Sequence, residues 1–329
     1  MENTEKELRR KARKLFDAGE IDLLTGHCEG TLPMRSRPCI ITSANDTDRL
    51  VWNSFCSNNL AVYLPRLFTG NVETGESDKP LKIAIVGKAC DVRSVFGLMK
   101  ENQIPRESVI IIGMPCRGMV DNTKAESVAG GYIRDCSESA DGFEVSLTGD
   151  VRKTIHRANV IADACLECAA PTPEECDILI PGESRAPAQE CFTEVDEFEA
   201  HSPRERWQYF QNEISKCIRC YACRQACPNC YCKECFADQT LPRWIGAGTN
   251  ISDLMLYPIG RIFHQAGRCV ACDACVRACP VGVALRTFTR KLVKDVRELF
   301  DFAPGFSHEE TPPLCTFNEK DSEEFLTEP

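Results

Sequence analysis

The sequence lacks any apolar run long enough to span a bilayer. Its first residues, MENTEKELRRKARKLFDAGEIDLL, also lack the apolar core of a secretory signal and read instead as an amphipathic helix. These two absences imply a cytoplasmic protein. A surplus of positive charge is missing too. With 39 Lys and Arg against 49 Asp and Glu, the net charge of −10 excludes general nucleic-acid binding. The basic run LRRKARK is then a solvated helix face. Histidine is scarce. His27, His156, His201, His264 and His308 are scattered, and no H-x-E, H-E-x-x-H or nucleophile-elbow pattern occurs. His264 reads as a helix-surface or packing residue.

Cysteine, in contrast, is abundant, with 22 residues. Secreted disulfide scaffolds are usually short and loop-rich. A chain of 329 residues with strand and helix patterns and no export signal fits reduced thiols that hold metal. The spacing is specific. Cys217-x2-Cys220-x2-Cys223-x3-Cys227-Pro228 recurs as Cys269-x2-Cys272-x2-Cys275-x3-Cys279-Pro280. This is the two-cluster ferredoxin pattern. Three cysteines at three-residue steps let a tight loop wrap three corners of a cubane, with its N–H groups turned toward the sulfurs. The fourth cysteine lies past the loop and ligates the other cluster. One [4Fe-4S] cluster is therefore expected on Cys217, Cys220, Cys223 and Cys279, and a second on Cys269, Cys272, Cys275 and Cys227. Zinc sites more often use two CxxC pairs or Cys/His mixtures. Cys230, Cys232 and Cys235 form either another metal site or a sulfur-rich wall beside a cluster. GAGTN at Gly246 has no strand before it and is not a phosphate loop.

Between the motifs, DLMLYPIGRIFHQAGR reads as a helix, and VALRTFTRKLVKDVRELFDF after them as a strongly amphipathic one. The long helical spacing resembles the alpha-helical ferredoxin domains of fumarate reductase and heterodisulfide reductase electron-transfer subunits. Upstream, Ser202, Pro203 and Glu205 predict a capped helix leading into Cys217. The acidic stretch 191–203 reads as a linker.

In the first two thirds, LKIAIVG and ESVIIIG read as buried strands flanking the helix DVRSVFGLMKEN. That order implies a right-handed crossover in a parallel sheet. Each strand ends in a loop with one cysteine, Cys90 and Cys116, at the end where open α/β sheets place their sites. Cys165-x2-Cys168 follows, before a third strand at DILIPG.

The pieces VGKACDVRSV, IIIGMPCRGMV and CLECAAPTPEECDILIPG, within residues 35–185, resemble the beta subunits of deazaflavin-reducing hydrogenases and formate dehydrogenases. The resemblance implies a third [4Fe-4S] cluster on Cys90, Cys116, Cys165 and Cys168, with FAD beside it exchanging electrons with a deazaflavin. The sequence departs from the family in two respects. The segment RPCIITSANDTDRLVWNSFCSNNLAVYL lacks glycine where the family has a glycine-rich, flavin-contacting stretch, and a ferredoxin module follows the sheet domain. Lys88, Arg93 and Arg117 flank that proposed cluster and either balance its charge or hold a phosphate, or, as the simpler reading has it, are surface cations. Cys28, Cys39, Cys56, Cys136, Cys176, Cys191 and Cys315 show no metal spacing and read as packing residues.

The expected architecture is an α/β N-terminal domain with a parallel sheet over 1–195, a mainly α-helical dicluster ferredoxin domain over 196–305, and an acidic tail over 306–329. The expected function is electron transfer through three [4Fe-4S] clusters within an anaerobic oxidoreductase complex of formate dehydrogenase, hydrogenase or heterodisulfide reductase type. Its partners would be a catalytic dehydrogenase or hydrogenase subunit and a flavoprotein electron acceptor. The alternative is a flavin-containing subunit that itself reduces or oxidises a soluble coenzyme.

Overall fold

A computed structural model describes residues 2–74, 80–139, 141–149 and 151–313. Cys315 lies outside the described residues. The chain divides into two compact units, one comprising 1–92 and 104–190 and the other 93–103 and 191–329.

The first unit is built on a five-stranded sheet. Its strands are β1 (Leu23–Glu29), β2 (Ser36–Ile41), β3 (Ile83–Gly87), β4 (Val109–Gly113) and β8 (Ile178–Leu179), in the order β2-β1-β3-β4-β8. β1, β3, β4 and β8 run parallel, with Ile83 opposite Val109 and Gly87 opposite Gly113. Strand β3 is buried at every position, so its continuous apolar run suits a strand covered on both faces. The sheet is mixed rather than purely parallel, because β2 pairs antiparallel with β1. Helix α1 (Glu2–Asp17) buries Leu8, Ala12 and Leu15 in the same core. It stops earlier than its sequence pattern implies. Gly19 takes a left-handed conformation (φ 66°), and Leu23 and Leu24 belong to β1. Two exposed basic residues of α1 are paired, Arg10 with Glu7 and Arg13 with Asp48.

Helices α2 (Leu64–Thr74), α3 (Ala89–Lys100) and α4 (Asn122–Ala129) follow in chain order. A second sheet, unanticipated from sequence, comes next. It is an antiparallel meander of β5 (Ile133–Glu138), β6 (Gly142–Leu147) and β7 (Arg152–His156). Phe143, Val145 and Leu147 of β6 alternate into its core, as the period of two demands. A Cβ on Gly142 would stand 2.2 Å from the Ile155 carbonyl oxygen, so only glycine fits there. A short helix α5 (Asp163–Leu166) carries Cys165.

The second unit holds α6 (Thr193–Ala200), α7 (Pro203–Ser215), α8 (Ala222–Gln225), α9 (Ile251–Phe263), α10 (Ala274–Arg277) and α11 (Leu285–Phe300). The cap on α7 is the expected one. Glu205 N–H donates to Ser202 Oγ, and Ser202 N–H donates to Glu205 Oε2 at 2.8 Å. The linker reading of 191–203 is overturned, because α6 occupies most of it. Its acidic residues are partners for α11: Glu194 pairs with Arg286, Asp196 with Lys294, and Glu199 with Lys291 and Lys294. Such long-range pairing leaves no trace in local composition.

Candidate metal centres

The two ferredoxin-type motifs have the same local backbone. Each places two non-glycine residues in the left-handed region at matching offsets: Arg219 (φ 53°) and Tyr221 (φ 59°) in the first, Ala271 (φ 55°) and Asp273 (φ 53°) in the second. Each then enters a one-turn helix, α8 or α10. Alternating right- and left-handed residues turn successive N–H groups to one side and form an anion nest. Those N–H groups reach sulfur. Arg219 N–H bonds Cys217, Ala271 N–H bonds Cys269, and Val283 N–H donates to Cys279 Sγ at 3.4 Å.

Cys217, Cys220, Cys223 and Cys279 line one apolar cavity together with Ile214, Tyr257 and Val281. Burial raises the Cys217 thiol above its usual range, and Cys223, Cys279 and Cys220 add to the rise. Tyr257 is buried, with its hydroxyl 3.8 Å from Cys223 Sγ. The second set converges in the same way. Burial pushes Cys269 up to about 12, with further contributions from Cys272 and Cys227. Cys275 is also pushed up by burial, and it feels Arg261, Cys227, Cys269 and Cys272. Each fourth cysteine thus stands with the three of the opposite motif.

Three further cysteines follow the first motif, and Cys230 among them is close to Cys227, Cys223 and Cys232. Cys230 packs on Cys227, whose hydrogen bond lowers the Cys230 thiol and raises its own. Gln265 Nε2 also donates to Cys230 at 3.5 Å. Cys232 is exposed, and Cys235 sits beside Arg224. The glycine-rich loop at Gly246 turns its carbonyls to the Arg219 side chain, including Gly248 O at 2.7 Å, so it presents acceptors rather than a phosphate cradle.

In the first unit, Cys90 opens α3 just past β3, and Cys116 lies in the loop after β4. Burial raises Cys116 to about 12, with Cys165 and Cys168 both acting on it. Gly118 N–H donates to Cys116 Sγ at 3.4 Å, and Met119 N–H to Cys165 Sγ at 3.3 Å. Lys88 is not a surface cation, being 3% exposed. Its ammonium meets Asp91 at 2.8 Å and donates to the carbonyls of Cys56 (3.0 Å) and Asn58 (2.8 Å). Burial alone would lower its pKa, but Asp91, Cys90 and Cys116 hold it raised. Lys88 thus lies near Cys90 and Cys116, and Cys116 near Cys165 and Cys168. Arg93 belongs to the second unit, donates to Pro304 O at 2.9 Å and stacks on Phe306. Arg117 lines a cavity of about 280 Å³ with Trp52, Ser54, Met119 and Glu183.

Other cysteines pack or bond. Cys28 and Cys39 form a disulfide between β1 and β2, which corrects their reading as free packing residues. Cys176 lies against Gly113, where a Cβ would come within 2.7 Å of its sulfur. Cys136 packs on the meander core. Among the described residues, no three His, Cys, Asp or Glu side chains close on a single metal ion. The sites nevertheless suit iron–sulfur cubanes: soft thiolate donors in sets of four, N–H donors aimed at sulfur, and a buried guanidinium at Arg261 with unpartnered nitrogens. The cavity beside Arg117 supplies no comparable fit for FAD. Its one lining glycine, Gly182, is closed in by Thr4 and Pro115, which a Cβ added there would meet at 2.7 and 2.9 Å.

Residues 81–183 match the family described as the C terminus of the coenzyme F420 hydrogenase/dehydrogenase beta subunit. The segment 81–183 belongs to the F420 hydrogenase/dehydrogenase beta-subunit family. Among curated relatives, an F420-dependent formate dehydrogenase subunit beta from Methanocaldococcus jannaschii is 22% identical, over 84% of this chain and 85% of the relative. An F420-dependent formate dehydrogenase 1 subunit beta from Methanococcus maripaludis is also 22% identical, over 91% and 90%. Among solved structures, a chain of the F420-reducing [NiFe] hydrogenase complex from Methanosarcina barkeri matches with a TM-score of 0.37 and 14% identity, covering 52% of this chain and 63% of that one. Among the described residues, no helix is long and apolar enough to cross a membrane.

Proposed function

We propose that the chain is an iron–sulfur electron-transfer subunit of a cytoplasmic oxidoreductase complex. Three sets of four cysteines would hold [4Fe-4S] clusters: Cys217, Cys220, Cys223 and Cys279; Cys269, Cys272, Cys275 and Cys227; and Cys90, Cys116, Cys165 and Cys168. The observation that carries this reading is the crossed gathering of Cys279 with the first motif and Cys227 with the second. The clusters, when bound, supply one-electron chemistry. The chain's own residues hold thiolates, point N–H groups at sulfur and keep apolar walls around it. The beta-subunit relatives support partners of the kind their names describe, a formate dehydrogenase or hydrogenase catalytic subunit.

Anaerobically reconstituted protein is expected to carry about twelve irons, from three four-iron clusters. Cys90→Ser should remove about four of them and one EPR signal, leaving two. Loss of all signals would overturn the division into separate sites.

A second reading is favoured by the relatives' dependence on F420: a subunit that itself exchanges electrons with a soluble deazaflavin. A yellow flavin released by acid would support it. Protein without flavin that still passes electrons from a partner to its clusters would exclude it.

A further inference from the structure

Arg261 sits on α9 and is 4% exposed. Its Nη2 donates to the Cys223 carbonyl at 3.2 Å, while Nε and Nη1 are buried without a hydrogen-bond partner. Among the described residues, no carboxylate pairs with it. A buried guanidinium left this way is strongly unfavourable unless anions compensate it. The groups that act on it are sulfurs from both sets: Cys275 and Cys227 from the second, Cys223 from the first, and Cys230 beside them. It also lines the cavity that gathers Cys217, Cys220, Cys223 and Cys279.

We propose that Arg261 is a positioning residue shared by the two ferredoxin-type centres, its free N–H groups facing the thiolates of both and holding their reduction potentials up together. The proposal rests on the cluster reading above. A fixed cation favours the more negative, reduced state of any cluster near it. Because it stands between the two sets, its removal should move both centres. No bond is made or broken and no proton moves. The guanidinium's charge and donors act on whichever state is present.

The test is an EPR-monitored redox titration of the full, anaerobically reconstituted chain with iron counted in parallel, in wild type, Arg261→Gln and Arg261→Lys. Arg261→Gln is expected to keep its iron while both dicluster signals, those surviving Cys90→Ser, titrate at lower potential. The expected shift is at least a tenfold change in the reduction equilibrium, about 59 mV for one electron. Arg261→Lys should restore most of that shift. Full iron with neither potential moved, or only one moved, overturns the proposal. If Arg261→Gln loses iron, Arg261→Lys decides. Recovered iron supports a charge role, and continued loss overturns it by showing that shape alone mattered. Wild-type protein without two dicluster signals would instead refute the cluster reading itself.

Discussion

At Lys88, burial and charge pull in opposite directions, and Asp91 decides the outcome. Asp91 also accepts from the amides of Lys88 (2.8 Å) and Leu60 (3.0 Å), so one carboxylate ties the start of α3 to the loop before α2. Asp91→Asn would remove the carboxylate paired with the buried ammonium. We expect a loss of about 3–5 kcal/mol, as for breaking other buried pairs, read as lowered hydrogen-exchange protection of the β3 and β4 amides. The pair was within reach of sequence, since GKACD places lysine and aspartate three residues apart at a helix start. What sequence could not give was depth. Nothing local distinguishes Lys88 from the more exposed Lys82 at the other end of the same strand. Arg261 was equally hidden, one arginine in an apolar helical pattern, whose meaning depends on cysteines 14 residues later and 34 before.

The elements legible in advance were those whose period and punctuation agree. The runs IAIVG and VIIIG, the Ser202 capping box and the amphipathic α11 all fall where pattern puts them. The two cysteine loops share one backbone geometry, as their shared spacing implies. Helix α6 and the β5–β7 meander were not legible, since one depends on charges a hundred residues away and the other lies in a polar, turn-rich stretch. The α6–α11 pairing is titratable. Hydrogen bonds from Lys291, then from Lys294, lower the Glu199 carboxyl below its ordinary value. A lowered carboxyl stabilises above its unfolded pKa, about 4.3, and loses that contribution as pH falls through the folded value. Amides 193–200 should therefore exchange earlier than those of α7 as the solution is taken from pH 5 to pH 3, and Lys294→Met should produce early exchange already at pH 7. The left-handed positions permit a second check. Ala271→Val puts a β-branched side chain at φ 55°, a strain of about 1–2 kcal/mol. It is expected to strip iron from the dicluster unit and to spare the Cys90-dependent signal, as measured by iron content and EPR.

At the level of the whole molecule, the similarity to formate dehydrogenase beta subunits runs along 84 to 91% of the chain, well beyond the 103 residues spanned by the family match (81–183). Both units therefore contribute residues to the aligned region. The first unit joins the proposed Cys90 centre to the parallel strands, as the crossover pattern anticipated, and the second contains only helices and loops around the repeated motifs among the described residues. On the proposed cluster reading, the exchange of Cys227 and Cys279 between motifs has a consequence for biogenesis. A loop that had received inorganic sulfide and iron would lack one corner until the opposite loop had folded back to supply it. Neither half would mature ahead of the other, so the chain would pass from empty to doubly filled with little in between, and damage to one motif would be felt as immaturity in both.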